Sequence, residues 1–377
     1  MHSDLVLWIV IGTALAFDFT NGFHDTANAV APAISTRAMP PKVAVSLAAI
    51  LNFVGAFLSL SVAATIATGI VNPADVTTPI VFAGLIGAIV WNLTTWFFGL
   101  PSSSSHALIG GVVGATLAAD GPDAVQFSGL LDKVVIPALV APVLAMVVAG
   151  LAILIAYRIV GRQSPGPVTR GFRLGQWVTG SLFSLSHGTN DAQKTMGIMF
   201  LALVANGNLQ ATDDVPTWVI VSAATAIAGG TYVGGWRIIR TMGMRIIKMD
   251  PPQGFAAQGA GAAVILSASH VGFPLSTTQV MSGAIIGAGA AKRLSAVRWG
   301  VAGNIVVAWV LTLPASAAVG ALTFGVVYLF GENGAGPVVV SAALLALLAA
   351  AFVRRARTQA QAERQAAELA RGLPVEA

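Results

Sequence analysis

The sequence contains no cysteine and few charged residues. Asp, Glu, Lys and Arg make up 9% of its 377 residues, whereas an average soluble domain has about 25%. The lack of cysteine excludes disulfides and thiol chemistry. No Gly-x-x-x-x-Gly-Lys-Ser/Thr phosphate-binding loop occurs, so ATP is not expected to drive the protein. With so few charges, the chain cannot form the polar coat of a soluble globule.

Apolar sequence is abundant instead. Hydrophobic residues account for 56% of the chain, and its mean hydropathy is +0.80. A membrane-spanning helix needs about 20 mostly apolar residues, and several uncharged stretches are long enough. These stretches are 76–119, 134–157, 215–236, 251–291, 299–331 and 333–353. Such continuous runs predict a polytopic helical membrane protein rather than a transmembrane β-barrel, whose strands alternate in polarity.

The charged residues predict how the chain crosses the membrane. Loops rich in Lys and Arg tend to face the cytoplasm, and here basic connections alternate with connections that carry Asp or Glu. We therefore attribute the net charge of +5 to membrane orientation and not to nucleic-acid binding. This assignment places the N-terminus outside and the C-terminus in the cytoplasm. The basic connections are 37–42, 158–173, 237–248, 292–298 and the tail from 354.

Following the chain through these loops gives two halves that make the same moves from opposite sides of the membrane. Such an inverted-topology repeat recurs among secondary transporters. The predicted fold class is all-α: a polytopic transmembrane helical bundle of roughly 10–12 spans, with a broken or re-entrant helical hairpin in each of two inverted repeats. The predicted units are a first transmembrane repeat at 1–157, a basic cytoplasmic linker at 158–173, a second transmembrane repeat at 174–330, a final transmembrane helix at 331–353 and a charged cytoplasmic tail at 354–377.

Two pairs of motifs show the repeat in the sequence itself. "FDFTNGFHDTAN" at 17–28 resembles "FSLSHGTNDAQK" at 183–194. "PSSSSHALIGGVVG" at 101–114 resembles "PLSTTQVMSGAIIG" at 274–287. Both hydroxyl runs fall in the middle of an in-and-out excursion. Polar backbone with Pro and Gly is tolerated at that depth where it lines a cavity or is buried in protein. A re-entrant hairpin or a broken helix is therefore expected at each run.

The acidic motifs predict a cation site. On a helix, Asp18, Asn21, Asp25 and Asn28 share one face, and an ionised carboxylate in an apolar segment is a functional candidate by default. Because hard cations take oxygen ligands, Asp25 and its amide neighbours suit Na⁺ or a proton. The alternative is that such polar stripes only join helices by hydrogen bonds. The matching stripe of the second half is Ser184, His187, Asp191 and Lys194.

The hydroxyl motifs predict an anion site. Ser and Thr offer O–H donors, and a helix that begins after such a run aims its free N–H groups and positive dipole end at a bound anion. The alternative is ordinary helix N-capping. Lys194 either counters the charge of a substrate or pairs with Asp191, and His24, next to Asp25, is the best candidate for a proton relay. The anion-site candidates are Ser102, Ser103, Ser104, Ser105, Ser276, Thr277, Thr278 and Lys194.

These four motifs resemble the signatures of the inorganic phosphate transporter (PiT) family. The resemblance is carried by "GFHDTANAVAPAISTRA", "GTNDAQKTMGIM", "PSSSSHALIGG" and "PLSTTQVMSGAIIGAG", and it covers roughly residues 5–330. It implies a multi-pass protein of a bacterial inner membrane that imports inorganic phosphate by symport with a cation. Phosphate would bind at the hairpin-tip hydroxyls. The coupling-ion candidates from motif and stripe together are Asp25, Asn28, Asn190, Asp191, Asn21 and His24, with Asp25 and Asp191 as metal ligands if the ion is Na⁺.

The finer points follow from the same resemblance. The His24–Asp25 pair is similar to that of proton-coupled bacterial members, so H⁺ is favoured over Na⁺. No cofactor is expected, although phosphate carried as a divalent metal complex is kept open, as is a homodimer. One alternative is a sulfate permease of the same architecture. Other classes are an anion channel, whose filters usually need rings of identical subunits, and an intramembrane serine hydrolase built on Ser105 and His106. Adjacent helical residues do not face each other, so we expect no enzyme.

Overall fold

Helices make up almost the whole structure. The computed structural model describes residues 2–332, 334–347 and 349–350, and this part contains no β-strand, only an isolated bridge between Val71 and Val125. The first half contains α1 (His2–Ser35), α2 (Pro41–Gly55), α3 (Ser61–Thr68), α4 (Thr78–Phe98), α5 (Ser104–Asp120), α6 (Phe127–Leu130) and α7 (Ile136–Val160). The second half contains α8 (Pro165–Ala205), α9 (Thr217–Val233), α10 (Trp236–Arg240), α11 (Pro251–His270), α12 (Thr277–Lys292), α13 (Trp299–Phe330) and α14 (Ala335–Leu347).

The predicted segment boundaries fall near helix ends. The basic linker expected at 158–173 contains the end of α7, a short turn and the start of α8, so most of it is helical. There Arg173 donates from Nε to the carbonyl oxygen of Thr36 over 3.0 Å. The final helix expected at 331–353 contains α14, while its last residues and the tail at 354–377 lie outside the described residues. The division into repeats, linker and tail stays a prediction.

Several helices are suited to a bilayer by length and composition. In the described part, four pass such a test, and a fifth does so as a pair bent by 57° where α9 meets α10. Other helices are short, or carry polar residues that lower their hydropathy, as α8 does with its buried polar stripe. The expected number of 10–12 spans therefore stays a prediction, whereas the helical membrane bundle is confirmed. The four helices that pass the test of length and composition are Asp4–Ser35, Thr78–Phe98, Phe127–Val160 and Trp299–Phe330.

Each half contains a helical hairpin that turns at its hydroxyl run. α4 packs against α5, and α11 against α12. Gly99 ends α4 with a φ of +66°, and Gly272 follows α11 with a φ of +81°, a left-handed conformation that glycine adopts without strain. Pro101 and Pro274 then stop the preceding helix from continuing. The helix breaks predicted from the Pro-hydroxyl-Gly motifs are confirmed.

Two separate apolar cores lie on either side of a polar layer. α1 contributes residues 6–17 to the first core and residues 27–33 to the second, and its polar segment lies between them. α8 runs the other way, because Phe183 belongs to the second core and residues 192–203 to the first. The equivalent residues Phe17 and Phe183 thus lie in opposite cores. This arrangement is what an inverted repeat requires, and it places the polar motifs at mid-depth.

The two hairpins are held by equivalent close contacts with the opposite half. α5 packs against α13, and α12 packs against α7. A β-carbon on Gly114 would lie 2.0 Å from the carbonyl oxygen of Ala317, and one on Gly287 would lie 2.1 Å from that of Met146. Small residues allow helix backbones to approach this closely in membranes. The paired glycines of the repeat motif therefore seat each hairpin against the other half of the chain.

Candidate functional site

The centre of the site is a pair of buried carboxylates on the neighbouring helices α1 and α8. Asp25 is 2% exposed and Asp191 is fully buried. One oxygen from each carboxylate and a ring nitrogen of His187 lie within 4.8 Å of one another. The distance between His187 Nε2 and Asp191 Oδ2 is 3.1 Å. The two copies of the acidic motif therefore meet at one point, although they are far apart in the sequence.

The tips of both hairpins reach these carboxylates. The hydroxyl of Ser104, in the first turn of α5, donates to Asp25 Oδ2 over 2.7 Å. In the first turn of α12, Thr278 donates to Asp25 Oδ1 over 3.2 Å. Thr277 lies 3.1 Å from Asp191 Oδ2 and 3.5 Å from Asp25 Oδ2, so its hydroxyl lies between the two carboxylates. All four motifs of the sequence repeat thus converge on a single site.

Both hairpin helices begin with the same cap. Ser103 Oγ accepts a hydrogen bond from the backbone N–H of His106 over 3.1 Å, and Ser276 Oγ accepts one from the N–H of Gln279 over 3.2 Å. The N-capping alternative therefore holds for these two serines, and their contact with an anion stays a prediction. Three hydroxyls that follow the caps, those of Ser104, Thr277 and Thr278, donate to the carboxylates. The N-termini of α5 and α12 both point at the site, where their partial positive charge favours an anion.

Lys194 is paired with Asp191. Its ammonium donates to Asp191 Oδ1, to Ser105 Oγ over 2.5 Å and to the carbonyl oxygen of Leu275 over 2.8 Å. All three donors of the ammonium are thus engaged, and its contact with Ser105 places it beside the anion-site hydroxyls. Ser105 itself donates to the Leu275 carbonyl over 3.3 Å. Its hydroxyl proton is therefore not held by His106, as a hydrolase would need.

His24 and Asn28 flank Asp25 on α1. His24 Nδ1 lies 2.6 Å from Asp25 Oδ1, and its other ring nitrogen lies 3.1 Å from Thr95 Oγ1 and 3.4 Å from Ser102 Oγ. Ser102 is thus connected to Asp25 only through the imidazole. The amide of Asn28 donates to both threonine hydroxyls at the tip of α12, over 3.2 Å and 2.9 Å. Asn28 therefore holds that tip against α1.

Two of the predicted coupling-ion residues contact other groups. The amide of Asn190 donates to Ser269 Oγ over 2.7 Å and to the carbonyl oxygen of Phe273 over 3.2 Å. It therefore fixes the turn that follows α11. Asn21 lies beside Asp18, and within the described part of the chain its side-chain oxygen has no hydrogen-bond partner. The role of both asparagines in ion binding stays a prediction.

Not every residue of this polar centre was predicted from the sequence. His187 and Asp18 appeared only as members of the polar stripes, and Thr195 was not named. The spacing of four residues between His187 and Asp191 was the available signal, since such residues share a helix face. Thr195 gives no signal of its own, because threonine in an apolar helix usually bonds to the backbone of its own helix.

The centre combines groups for a cation with groups for an anion. Paired carboxylates suit a small cation, and first-turn hydroxyls with helix N-termini suit an oxyanion. No side chain among the predicted site residues is more than 4% exposed. The structure therefore describes a state in which the polar centre is closed off from solvent.

An all-helical bundle that seals such a centre between two apolar cores has the features of a membrane transport protein. The chain belongs to the phosphate transporter family, whose model matches residues 21–167 and 161–320. Members of this family are transporters, so the protein is not an enzyme, and its apolar helices make it a multi-pass membrane protein. The sequence-based recognition of the family is confirmed.

Relatives and a solved structure agree with this assignment. The chain is 54% identical over 353 residues to the probable low-affinity inorganic phosphate transporter of Mycobacterium tuberculosis, covering 93% of this chain and 84% of the relative. It is 44% identical over 322 residues to the protein of the same description from Bacillus subtilis, covering 85% and 96%. Its fold is similar to a structure described as the sodium-dependent phosphate transporter, with a TM-score of 0.78, 26% identity, and coverage of 86% and 99%.

Proposed function

We propose that the protein imports inorganic phosphate by symport with a cation, H⁺ in preference to Na⁺, through alternating access. Phosphate binds between the tips of α5 and α12, where Ser104, Ser105, Thr277 and Thr278 supply hydroxyl donors. The coupling cation binds at Asp25. The observation that carries this proposal is the convergence of two carboxylates and two helix N-termini from opposite halves on one buried point.

The hydrogen bonds around Asp25 supply a coupling mechanism. Ser104 and Thr278, which would hold phosphate, donate to the carboxylate oxygens of Asp25. A cation at Asp25 neutralises the carboxylate and weakens its hold on these hydroxyls, which then turn to phosphate. It also removes a negative charge that would repel the anion in a low-dielectric interior. Cation binding and phosphate binding thus favour each other, as linkage requires.

The two acidic motifs differ in how their charge is balanced. Asp191 is paired with the ammonium of Lys194, which occupies the position equivalent to Asn28 in the first half. Asp25 has hydroxyl donors and His24, whose imidazole lies 2.6 Å from the carboxylate. We therefore assign the transported cation to Asp25 and favour a proton, since an imidazole in contact with a carboxylate can pass a proton to it. The sodium-dependent description of the solved relative makes Na⁺ the alternative.

The chemistry of the site favours phosphate over sulfate. Both are tetrahedral oxyanions that hydroxyls and helix N-termini can bind. Phosphate near neutral pH keeps a P–OH group, whereas sulfate has no proton to donate. The carboxylate of Asp191 offers an acceptor for that donor, and an unprotonated oxyanion would leave this carboxylate facing a negative charge. Specific polar pairing of this kind discriminates between similar ligands more strongly than shape does.

The transport cycle follows from the two-core architecture. The closed polar centre lies between the apolar cores, so a rocking motion of one half against the other would expose it to each side in turn. We place the N-terminus outside and the C-terminus in the cytoplasm of a bacterial inner membrane, on the distribution of basic loops. A divalent metal–phosphate complex is a further form of the substrate that the assay below separates from free phosphate.

The test is uptake of ³²P-phosphate into proteoliposomes that contain the purified full chain. A pH gradient and a Na⁺ gradient are imposed separately, with excess sulfate as competitor and with Mg²⁺ present or removed by a chelator. Asp25→Asn removes the cation-binding charge, and Asp123→Asn makes the same change at an exposed position in the connection after α5. We expect uptake driven by the pH gradient, resistant to sulfate, abolished by the first change and retained with the second.

Other outcomes reassign parts of the proposal. Uptake that follows the Na⁺ gradient alone transfers the coupling from H⁺ to Na⁺. Strong competition by sulfate rejects the phosphate assignment in favour of a sulfate permease. Uptake that needs Mg²⁺ identifies the metal complex as the transported form. Flux that never exceeds equilibration, whatever the gradient, rejects cation coupling and favours the channel alternative.

A further inference from the structure

A buried carboxylate outside the site just described has no role in the proposed mechanism. Asp18 lies on α1, two turns before Asp25, and is fully buried. Among the described residues, neither of its carboxylate oxygens makes a hydrogen bond of standard geometry. This contrasts with Asp25, both of whose oxygens accept hydrogen bonds from hydroxyls. An ionised carboxylate in such surroundings is unfavourable unless a charged partner or a proton compensates it.

The side chains of Thr195 and Asn21 both lie next to Asp18. Thr195 is on α8 and Asn21 is one turn along α1, and among the described residues neither Thr195 Oγ1 nor the side-chain oxygen of Asn21 makes a hydrogen bond of standard geometry. Thr195 departs from the usual behaviour of helical threonines, since Thr26 and Thr231 both donate to the carbonyl four residues earlier. A carboxylate, an amide and a hydroxyl thus lie together in the protein interior.

The surroundings explain how this cluster relates to the main site. The charged groups that act on Asp18 are Asp191 and Lys194, both on α8. A cation at Asp18 would therefore lie within electrostatic range of the paired site without sharing its ligands. Asp18 precedes Asp25 on α1, and Thr195 follows Asp191 on the antiparallel α8, so the cluster lies on the side of the site nearer the N-terminus of α1.

The cluster is not duplicated. In the repeat, Asp18 corresponds to Ser184 and Thr195 to Ala29, so the equivalent positions have neither the carboxylate of Asp18 nor the hydroxyl of Thr195. Ser184 donates to the carbonyl oxygen of Gly180 over 2.8 Å, which satisfies its hydroxyl within α8. Residues that served only to join the repeats would be expected in both halves. The asymmetry instead gives this chain one polar cluster beyond the symmetric pair.

We propose that Asp18, Asn21 and Thr195 form a second cation site, which holds one small monovalent cation, H⁺ or Na⁺, during phosphate import. The site rests on the proposed function, because its cation would move with phosphate and add to the coupling at Asp25. Asp18 supplies the negative charge, and the two neutral oxygens orient toward the cation. In the proton case, the carboxyl group donates to the Thr195 or Asn21 oxygen.

The experiment measures how far the gradient can concentrate phosphate. Proteoliposomes containing the full chain are given an inward H⁺ or Na⁺ gradient of about tenfold, with the membrane potential held at zero, and ³²P-phosphate is followed to its final accumulation ratio. Each coupled cation multiplies that ratio by about tenfold. Asp18→Asn should lower the ratio by about tenfold in the arm of the cation concerned, while phosphate–phosphate exchange continues. The matched control Ser184→Ala should leave the ratio unchanged.

A direct cation count keeps the inference testable if Asp18→Asn does not transport. Purified protein is titrated with ²²Na⁺ at equilibrium, and protons taken up on phosphate addition are measured with a pH indicator. The wild type should bind one more cation than Asp18→Asn, and Thr195→Val, which keeps the shape of the side chain, should bind that cation more weakly. An unchanged accumulation ratio, or an equal cation count in wild type and Asp18→Asn, overturns the inference. The count needs no phosphate transport, so failure of the proposed function would be seen separately.

Discussion

Replacing Lys194 by Met tests whether the ammonium of Lys194 compensates the negative charge of Asp191. The pair is fully buried, and the ammonium also donates to Ser105 and to a carbonyl oxygen. Removing one partner of a buried ion pair typically costs about 3–5 kcal/mol, because the other charge is left uncompensated. The matched control is Lys292→Met, which breaks an ion pair with Asp250. In this pair the Lys292 side chain is 51% exposed and the Asp250 side chain is 30% exposed. An exposed pair contributes about 0–1 kcal/mol.

The measurement is the free energy of unfolding in mixed micelles, followed by the fluorescence of the 8 tryptophans. We expect Lys194→Met to be destabilised by several kcal/mol more than Lys292→Met. Adding Asp191→Asn to Lys194→Met should recover most of the loss, since it removes the stranded charge. A cation that replaces the ammonium should also stabilise the single variant, by about 2.7 kcal/mol at a concentration 100 times its dissociation constant. Equal losses in the two lysine variants would refute the reasoning.

Three further predictions concern packing, substrate binding and topology. Gly287→Ala should lower the unfolding temperature because its β-carbon would meet the backbone of α7 at 2.1 Å, whereas Gly300→Ala, with open space around it, should not; equal effects would contradict the packing argument. Asn28→Ala removes both hydrogen bonds to the α12 tip and should raise the KM for phosphate about 30-fold, at roughly 1 kcal/mol per bond, and an unchanged KM would contradict this. Because the chain has no cysteine, a single cysteine introduced as Asp123→Cys or Arg162→Cys can be labelled directly. A membrane-impermeant maleimide should label Asp123→Cys from outside and Arg162→Cys only from the cytoplasmic side. The reverse pattern would show that the predicted topology is inverted.

Much of the fold could be predicted from the sequence because the repeated motifs contain polar and charged residues, which are rare in membrane-spanning segments. The acidic motifs and the Pro-hydroxyl-Gly motifs occur in the same order in both halves. The basic loops predicted an inverted topology, and the structure places Phe17 and Phe183 in opposite cores, as such a topology would. The number of spans was harder to predict. A helix such as α8 combines a polar stripe with an apolar face, so its hydropathy alone does not decide whether it crosses the bilayer.

The sequence indicated which polar residues lie together better than it indicated which of them contact one another. Helical spacing gathered Asp18, Asn21, Asp25 and Asn28 on one face but did not show which of them point to the second half. Only the packing of α1 against α8 separates Asp25, which meets the hairpin tips, from Asp18, which meets Thr195. The partner of Lys194 was likewise undecided, because an ion pair and an anion contact require the same residue types. Such choices depend on tertiary distances that no local pattern contains.

The central claim is that a cation at Asp25 frees the hairpin hydroxyls to bind phosphate. Equilibrium binding of ³²P-phosphate to the purified chain, measured over a range of H⁺ and of Na⁺ concentrations, tests this claim most directly. Linkage predicts that the phosphate affinity rises by about tenfold for each tenfold increase in the cation that binds there. In Asp25→Asn, that dependence should be weaker by this amount, while Asp123→Asn should follow the wild type. Parallel dependences in wild type and Asp25→Asn would contradict the account.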